Sequence, residues 1–321
     1  MSEFDGRKTP KLSSYWQTQD TIQIPDAIIY SLMDDYPTYS MGNHFTIYYA
    51  NLEQNTIHLK TLITKIYNFS SISVVAITNH YVSFDLNKQP YFIAPMQVQH
   101  TKYKRVSNRN ITYHFPITHI FDRLRSDLMI KKLEFIEQKW EFKPVPIEYY
   151  FADNMQDLLS MKGLDYLQFV YDKYPSGISF PSQKVIYCQG LGEGYLHEVL
   201  HMYFNPLYGT SPICHGLIYY LGGTSGMTFN QYIKRTYDYL QKHPEINLSD
   251  FQTLQIHDNL ITISYAVLGM LCKLIDSRGG VKEFKRVLSY KTIDEIFEKE
   301  FGLKREEWDK FLKENFKKYS S

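Results

Sequence analysis

Cysteine is scarce: Cys188, Cys214 and Cys272 are the only three in 321 residues. They are too few and too scattered for a disulfide scaffold or a cysteine-rich zinc site, and at least one stays unpaired. Long apolar runs are missing as well. The longest, Leu260 to Ile275, is interrupted by Thr262, Ser264, Tyr265 and Lys273, so it falls short of a membrane span and reads as a buried core helix. Neither sign of charge dominates, with 35 basic residues against 34 acidic and a formal net charge of +1. Without a basic field there is nothing to draw nucleic acid or an anionic membrane. The first residues, Met1-Ser-Glu-Phe-Asp-Gly-Arg-Lys8, lack the apolar core of a secretory signal. The chain as written therefore reads as cytoplasmic, or as exported if a leader has been removed, and so low a cysteine count fits both compartments.

Aromatic residues are what the chain has in excess: 16% of it, with 28 Tyr, enough for a Tyr-rich core and surface. The length suits one large domain or two of ordinary size. Residues 1–20 read as a polar arm and 21–116 as a strand-rich α+β domain. There His44–Tyr49, Ile72–Ile77, Tyr91–Ala94 and Ile111–His114 read as strands. The stretch Thr56–Tyr67 reads as a helix, since Ile57, Leu59, Leu62, Ile63 and Ile66 form a helical stripe. From Ile117 the period turns helical, with Ile120, Leu124, Leu128, Leu133 and Ile136 along a helix that stops before Pro144. Strands at Val145–Phe151 and Lys184–Cys188 follow, with a short helix at Asp153–Met161 between them. After Gly209 helices are expected over 214–221, 229–242, 259–276, 280–288, 292–301 and 305–316, separated at Gly222-Gly223, His243-Pro244, Gly279-Gly280 and Gly302. The class is α+β, with a boundary near Pro116 or Pro144 and residues 117–321 as the second domain.

One motif carries chemistry. His197, Glu198 and His201 spell H-E-x-x-H, and on a helix positions i and i+4 share a face, so two imidazoles can converge on one tetrahedral ion. Glu198 follows His197 by about 100° of helix rotation and can reach a zinc-activated water as general base without ligating the metal. Val199, Leu200, Tyr203 and Phe204 flank the motif with apolar bulk, Gly190, Gly192 and Gly194 precede it, and Pro206 is expected to end the helix. A catalytic zinc takes three protein ligands and leaves one position open. His215, opening the stretch Cys214-His-Gly-Leu-Ile-Tyr-Tyr-Leu-Gly-Gly223, is the candidate third donor. It comes too late for the pattern in which a third His follows a tight glycine turn.

These motifs resemble the gluzincin peptidases of the thermolysin-like superfamily, in particular the peptidase MA-like group. The likeness runs over Leu196 to Gly223 and, more weakly, over Ser264-Tyr-Ala-Val-Leu-Gly269 and Gly279-Gly280-Val281, about half the chain from Ile147 onward. In that family the second helix carries a Glu as third zinc ligand, and His215 stands at its place here. The resemblance implies a thermolysin-like catalytic domain, with a small sheet over the H-E-x-x-H helix to about residue 209 and a helical lobe over 210–321. It implies zinc as cofactor, a peptide or protein substrate, and Tyr265 as oxyanion donor, for which His257 is nearby in sequence and a core role for Tyr265 is the alternative. Three imidazoles would give a site of higher net charge and a more acidic water. The same departure could instead mark a lost ligand in an inactive, binding-only relative, and H-E-x-x-H itself fixes metal and base, leaving a non-peptide bond as another substrate. Glu193, Asp250 and Asp258 are candidates to orient the ligating imidazoles. His44, His58, His80, His100, His114, His119 and His243 show no ligand spacing.

Overall fold

The computed structural model describes Tyr15 and residues 43–53, 55–67, 71–168, 175–254, 257–258 and 261–320. The polar arm over 1–20 thus lies outside the described residues apart from Tyr15. The chain is mixed α+β, with two five-stranded sheets and a helical carboxy-terminal part.

The first sheet is an antiparallel meander of β1 (Asn43–Glu53), β2 (Thr56–Tyr67), β3 (Ser71–Phe84) and β4 (Pro90–Ile93), with β8 (Leu164–Leu167) also pairing with β3. The helix expected over Thr56–Tyr67 is strand β2. Six of its twelve residues are β-branched, and Ile57, Leu59, Thr61 and Ile63 alternate as well as they stripe. Pairing with β1 on one side and β3 on the other decides between the two periods.

The second sheet runs in the order β5 (Tyr103–Asn108), β6 (Ile111–Pro116), β7 (Ile147–Ala152), β10 (Val185–Gln189), β9 (Ser176–Phe180). Strands β6, β7 and β10 are parallel, while β5 and β9 are antiparallel edges. A boundary at Pro116 would cut this sheet, because β6 pairs with β7 across the crossover helix α1 (Arg123–Trp140). That helix begins later than expected, where the Asp122 side chain accepts the Arg125 N–H. Of the anticipated stripe only Leu133 and Ile136 are buried. Ile120, Leu124 and Leu128 face outward, and Met129, Ile130 and Trp140 complete the packed side.

One face of the second sheet, with Tyr113, Phe115, Tyr149, Phe151 and Ile186, packs on α1 and on α3 (Leu196–Tyr208). Its other face, with Tyr150 and Tyr187, meets α2 (Met155–Met161). Pro206 sits inside the last turn of α3 and the helix runs on to Tyr208. Beyond it come α4 (Cys214–Gly222), α5 (Phe229–Lys242), α6 (Ile263–Gly279), α7 (Val281–Val287), α8 (Ile293–Ile296) with a π-turn over Phe297–Phe301, and α9 (Arg305–Tyr319). Helix α6 starts after the expected Asn259 because Ile261–Thr262 pairs as β12 with β11 (His257–Asp258). Helices α4 and α6 approach closely at Gly216, where any Cβ would collide with the Leu268 side chain and backbone. That contact fixes the rotation of α4, and with it the direction of His215.

Candidate metal centre

Helix α3 enters the core directly after β10 and a single turn at Gly192–Gly194. The Tyr149 hydroxyl donates to the Gly192 carbonyl at 2.9 Å, anchoring that turn to the sheet. The helix is buried along its first nine residues, Leu196 to Phe204, so its two histidines are held in a packed environment.

His197 and His201 are only 3% and 5% exposed, and their Nε2 atoms lie 3.2 Å apart. The opposite ring nitrogens define the tautomers. His197 Nδ1 lies 2.6 Å from the Gly223 carbonyl oxygen, and His201 Nδ1 lies 3.1 Å from Asn205 Oδ1. Both partner atoms are carbonyl oxygens that accept, so each Nδ1 carries the hydrogen and each Nε2 presents a bare lone pair. Burial holds both rings neutral: it lowers His197 well below the usual imidazole range, with His201 and His215 adding to the effect, and lowers His201 to about 4 against the opposing Asn205 bond. Two lone pairs at hydrogen-bond distance repel each other unless a cation lies between them, which is the condition a metal would satisfy.

His215 supplies a third nitrogen. Its ring is 4.8 Å from that of His201 and 6.4 Å from that of His197, and one ligand atom from each of the three histidines lies within 4.8 Å of the others. Burial, then the neighbouring His201, lowers His215 to about 3. Three neutral imidazoles converging from two helices are thus a donor set that could hold a metal ion.

Glu198 lines the same cavity, of about 480 Å³. Burial raises its carboxyl to about 7, opposed by a hydrogen bond from Ser179 on β9. Gly177 on that strand makes the approach possible, since a Cβ there would come within 2.7 Å of both Glu198 Cγ and the Tyr195 ring. Tyr265 also lines the cavity, its ring 5.0 Å from His215 and 4.8 Å from Tyr219.

All five residues singled out from the sequence therefore meet in one cavity, while the proposed orienting carboxylates do not. Glu193 is buried elsewhere, accepting from His119 Nε2 at 2.7 Å and from the Asp122 N–H at 2.9 Å. Asp250 pairs with Arg305. The side chains of His257 and Asp258 lie outside the described residues. The groups that meet the two imidazoles are instead the Gly223 carbonyl and Asn205. Asn205 stands one helical turn beyond His201, a spacing that could have revealed it.

Tyr219, one turn beyond His215, was equally open to that rule; its ring meets His197 edge-on at 4.7 Å. Tyr195 stacks on His197 at 5.6 Å, and Thr224 hydrogen-bonds both tyrosines. No spacing rule points to Ser179, which arrives from a distant strand. Compared with protein-family models, with curated proteins and with solved structures, the chain gives no match.

Proposed function

We propose that the protein is a zinc-dependent metallopeptidase with a gluzincin-like, thermolysin-like arrangement of its catalytic part. The observation that carries this reading is the pair of Nε2 atoms 3.2 Å apart, joined by His215 from a second helix and with Glu198 in the same cavity. His197, His201 and His215 would hold the metal. Zinc bound there supplies a Lewis acid that polarises a carbonyl and makes water more acidic.

The protein's own residues do the rest. Glu198, with an affinity for protons raised to about 7 by burial, takes one proton from the attacking water and returns it to the nitrogen as the C–N bond breaks. The rest of the water, its O–H, stays on the acyl carbon, so the products are an amine and a carboxylic acid that gives up its remaining proton to solvent. Tyr265 is the proposed donor to the oxyanion that develops between these events, with Tyr219 beside it. The Ser179 hydroxyl holds Glu198 toward the cavity. A peptide substrate is favoured because β9, the terminal strand of its sheet among the described residues, forms one wall of the cavity. An extended chain can add to such an edge through main-chain hydrogen bonds.

Elemental analysis of the purified full-length protein tests the metal, with one zinc per chain expected. Mass-spectrometric analysis of a peptide library incubated with the zinc-loaded protein tests the reaction. Zinc without any peptide cleavage would retire the peptidase reading, and absence of zinc binding would retire the metal centre.

A further inference from the structure

Helix α1 carries a second apolar stripe that the core does not use. Leu124, Leu128 and Phe135 stand at i, i+4 and i+11, one face of a helix, and they are 71%, 52% and 60% exposed. Eleven residues at 1.5 Å each make the stripe about 16 Å long. Leu128 and Phe135 form one wall of a groove of about 750 Å³, over the buried Met129 and Leu196. The end of α4 at Gly222, the start of α5 at Phe229 and part of α6 form the other wall. Single exposed apolar side chains are ordinary, but a row of them beside a concave apolar floor marks a surface built to be covered.

Charge says what covers it. Among the described residues, the lining carries Arg125, Lys132 and Lys273 against one acid, Asp276, which already accepts the Tyr220 hydroxyl at 2.7 Å. Lys139, one turn beyond Phe135, adds a cation 5.5 Å from the centre of that ring. Carboxylates along the rims and apolar side chains on the floor complement this pattern. The form of the partner follows from the walls, which are helices and their ends. No strand of the two large sheets lines the groove, so an extended chain finds no edge to pair with, whereas a helix arrives with its own backbone hydrogen bonds made. A flat lipid surface would not reach the floor of a concave site.

We propose that this groove docks an acidic amphipathic helix of a partner protein, with its apolar face on Leu128 and Phe135 and its carboxylates toward Arg125, Lys132 and Lys273. The groove and the metal cavity have no described lining residue in common, so the proposal stands apart from the peptidase reading.

The test uses the full-length protein and fluorescent, helix-stapled peptides of about 14 residues. One has Leu along a single face and Glu elsewhere, a twin has Lys for every Glu, and an isomer of the first has its Leu stripe scrambled. Fluorescence anisotropy should show saturable binding of the first, half-complete at or below about 100 μM, with the other two at least about tenfold weaker. Lys132→Glu and Phe135→Ala, both at exposed positions, should each weaken the first peptide about tenfold. Equal binding of the Lys twin, binding that neither variant changes, or no saturable binding overturns the proposal. Sedimentation velocity, and co-pelleting with vesicles of phosphatidylcholine and phosphatidylserine, check the other occupants. Self-association that Leu128→Ser dissolves, or vesicle binding that it abolishes, with the acidic peptide unbound, would put a second copy or a membrane on this face and overturn the proposal equally.

Discussion

Histidines at two places bear on the beginning of α3, a pair on the helix itself and His119 behind its start, and they are in opposite states. At the candidate metal centre the ring nitrogens that are not turned inward face a backbone carbonyl and a carboxamide, and the rings stay neutral. Behind the helix start, His119 stands between two carboxylates, with Nε2 2.7 Å from Glu193 and Nδ1 2.9 Å from Asp153. Both nitrogens can donate only if the ring is an imidazolium. Burial pushes the His119 pKa down, but the hydrogen bonds to Asp153 and Glu193 outweigh it and leave it raised. One residue type thus serves as a lone-pair donor in one place and as a cationic strut in the other. Burial keeps the first pair neutral against the bonds they make, while two carboxylate partners outweigh burial at His119.

Removing the base is the strongest way to test the metal side of this contrast. Glu198→Gln should lower kcat by about 1000-fold, within the range that general-base catalysis supplies, with zinc content unchanged at one per chain. A variant that loses its zinc as well would mean that Glu198 is part of the metal site. His215→Ala comes next: as a proposed direct ligand it should weaken zinc by more than about 100-fold, the upper end of what an orienting group is worth. Competition with a chelator measures this. Unchanged affinity would leave His215 as a packed histidine and the site with only two protein ligands. Asn205→Ala should cost about 10- to 100-fold in zinc affinity, because His201 then loses the acceptor that fixes its tautomer. If the loss equals that of His215→Ala, the distinction between ligand and orienting residue fails.

Much of the site was legible because helices make their spacing visible. His197 and His201 face together by the i, i+4 rule, and the positions of Asn205 and Tyr219 obey the same rule relative to His201 and His215. The convergence of His215 depends on Gly216 seating α4 against α6, a contact between residues far apart in the chain that no local pattern announces. Thr56–Tyr67 misled for a related reason: its apolar residues satisfy both a 3.6 and a 2.0 period, and only pairing with β1 and β3 separates them. Glu193 was placed in the right segment but given the wrong neighbour. Its carboxylate turns toward His119 of the loop before α1, and the sequence holds no sign of that direction.

The smallest expected effect lies on the other side of the comparison. Because the folded-state pKa of His119 is raised above the ordinary imidazole value of 6.5, the charged strut contributes stability that is fully present below pH 6.5. That contribution declines as pH rises through the folded-state value. The loss follows because, once His119 is neutral, one of its two nitrogens no longer donates and the buried Glu193 carboxylate keeps only part of its compensation. His119→Gln retains a side-chain amide but cannot carry the charge. The Tm difference between parent and His119→Gln should therefore be greatest below pH 6.5 and shrink steadily above it, amounting to a few degrees at most for a contribution of about 1 kcal/mol. Melting curves of the metal-free protein at a series of pH values keep the metal ligands' own titration out of the comparison between two variants that share it. A difference that stays constant with pH would show His119 acting by packing alone. The contrast between cationic strut and neutral donor would then reduce to a difference in burial.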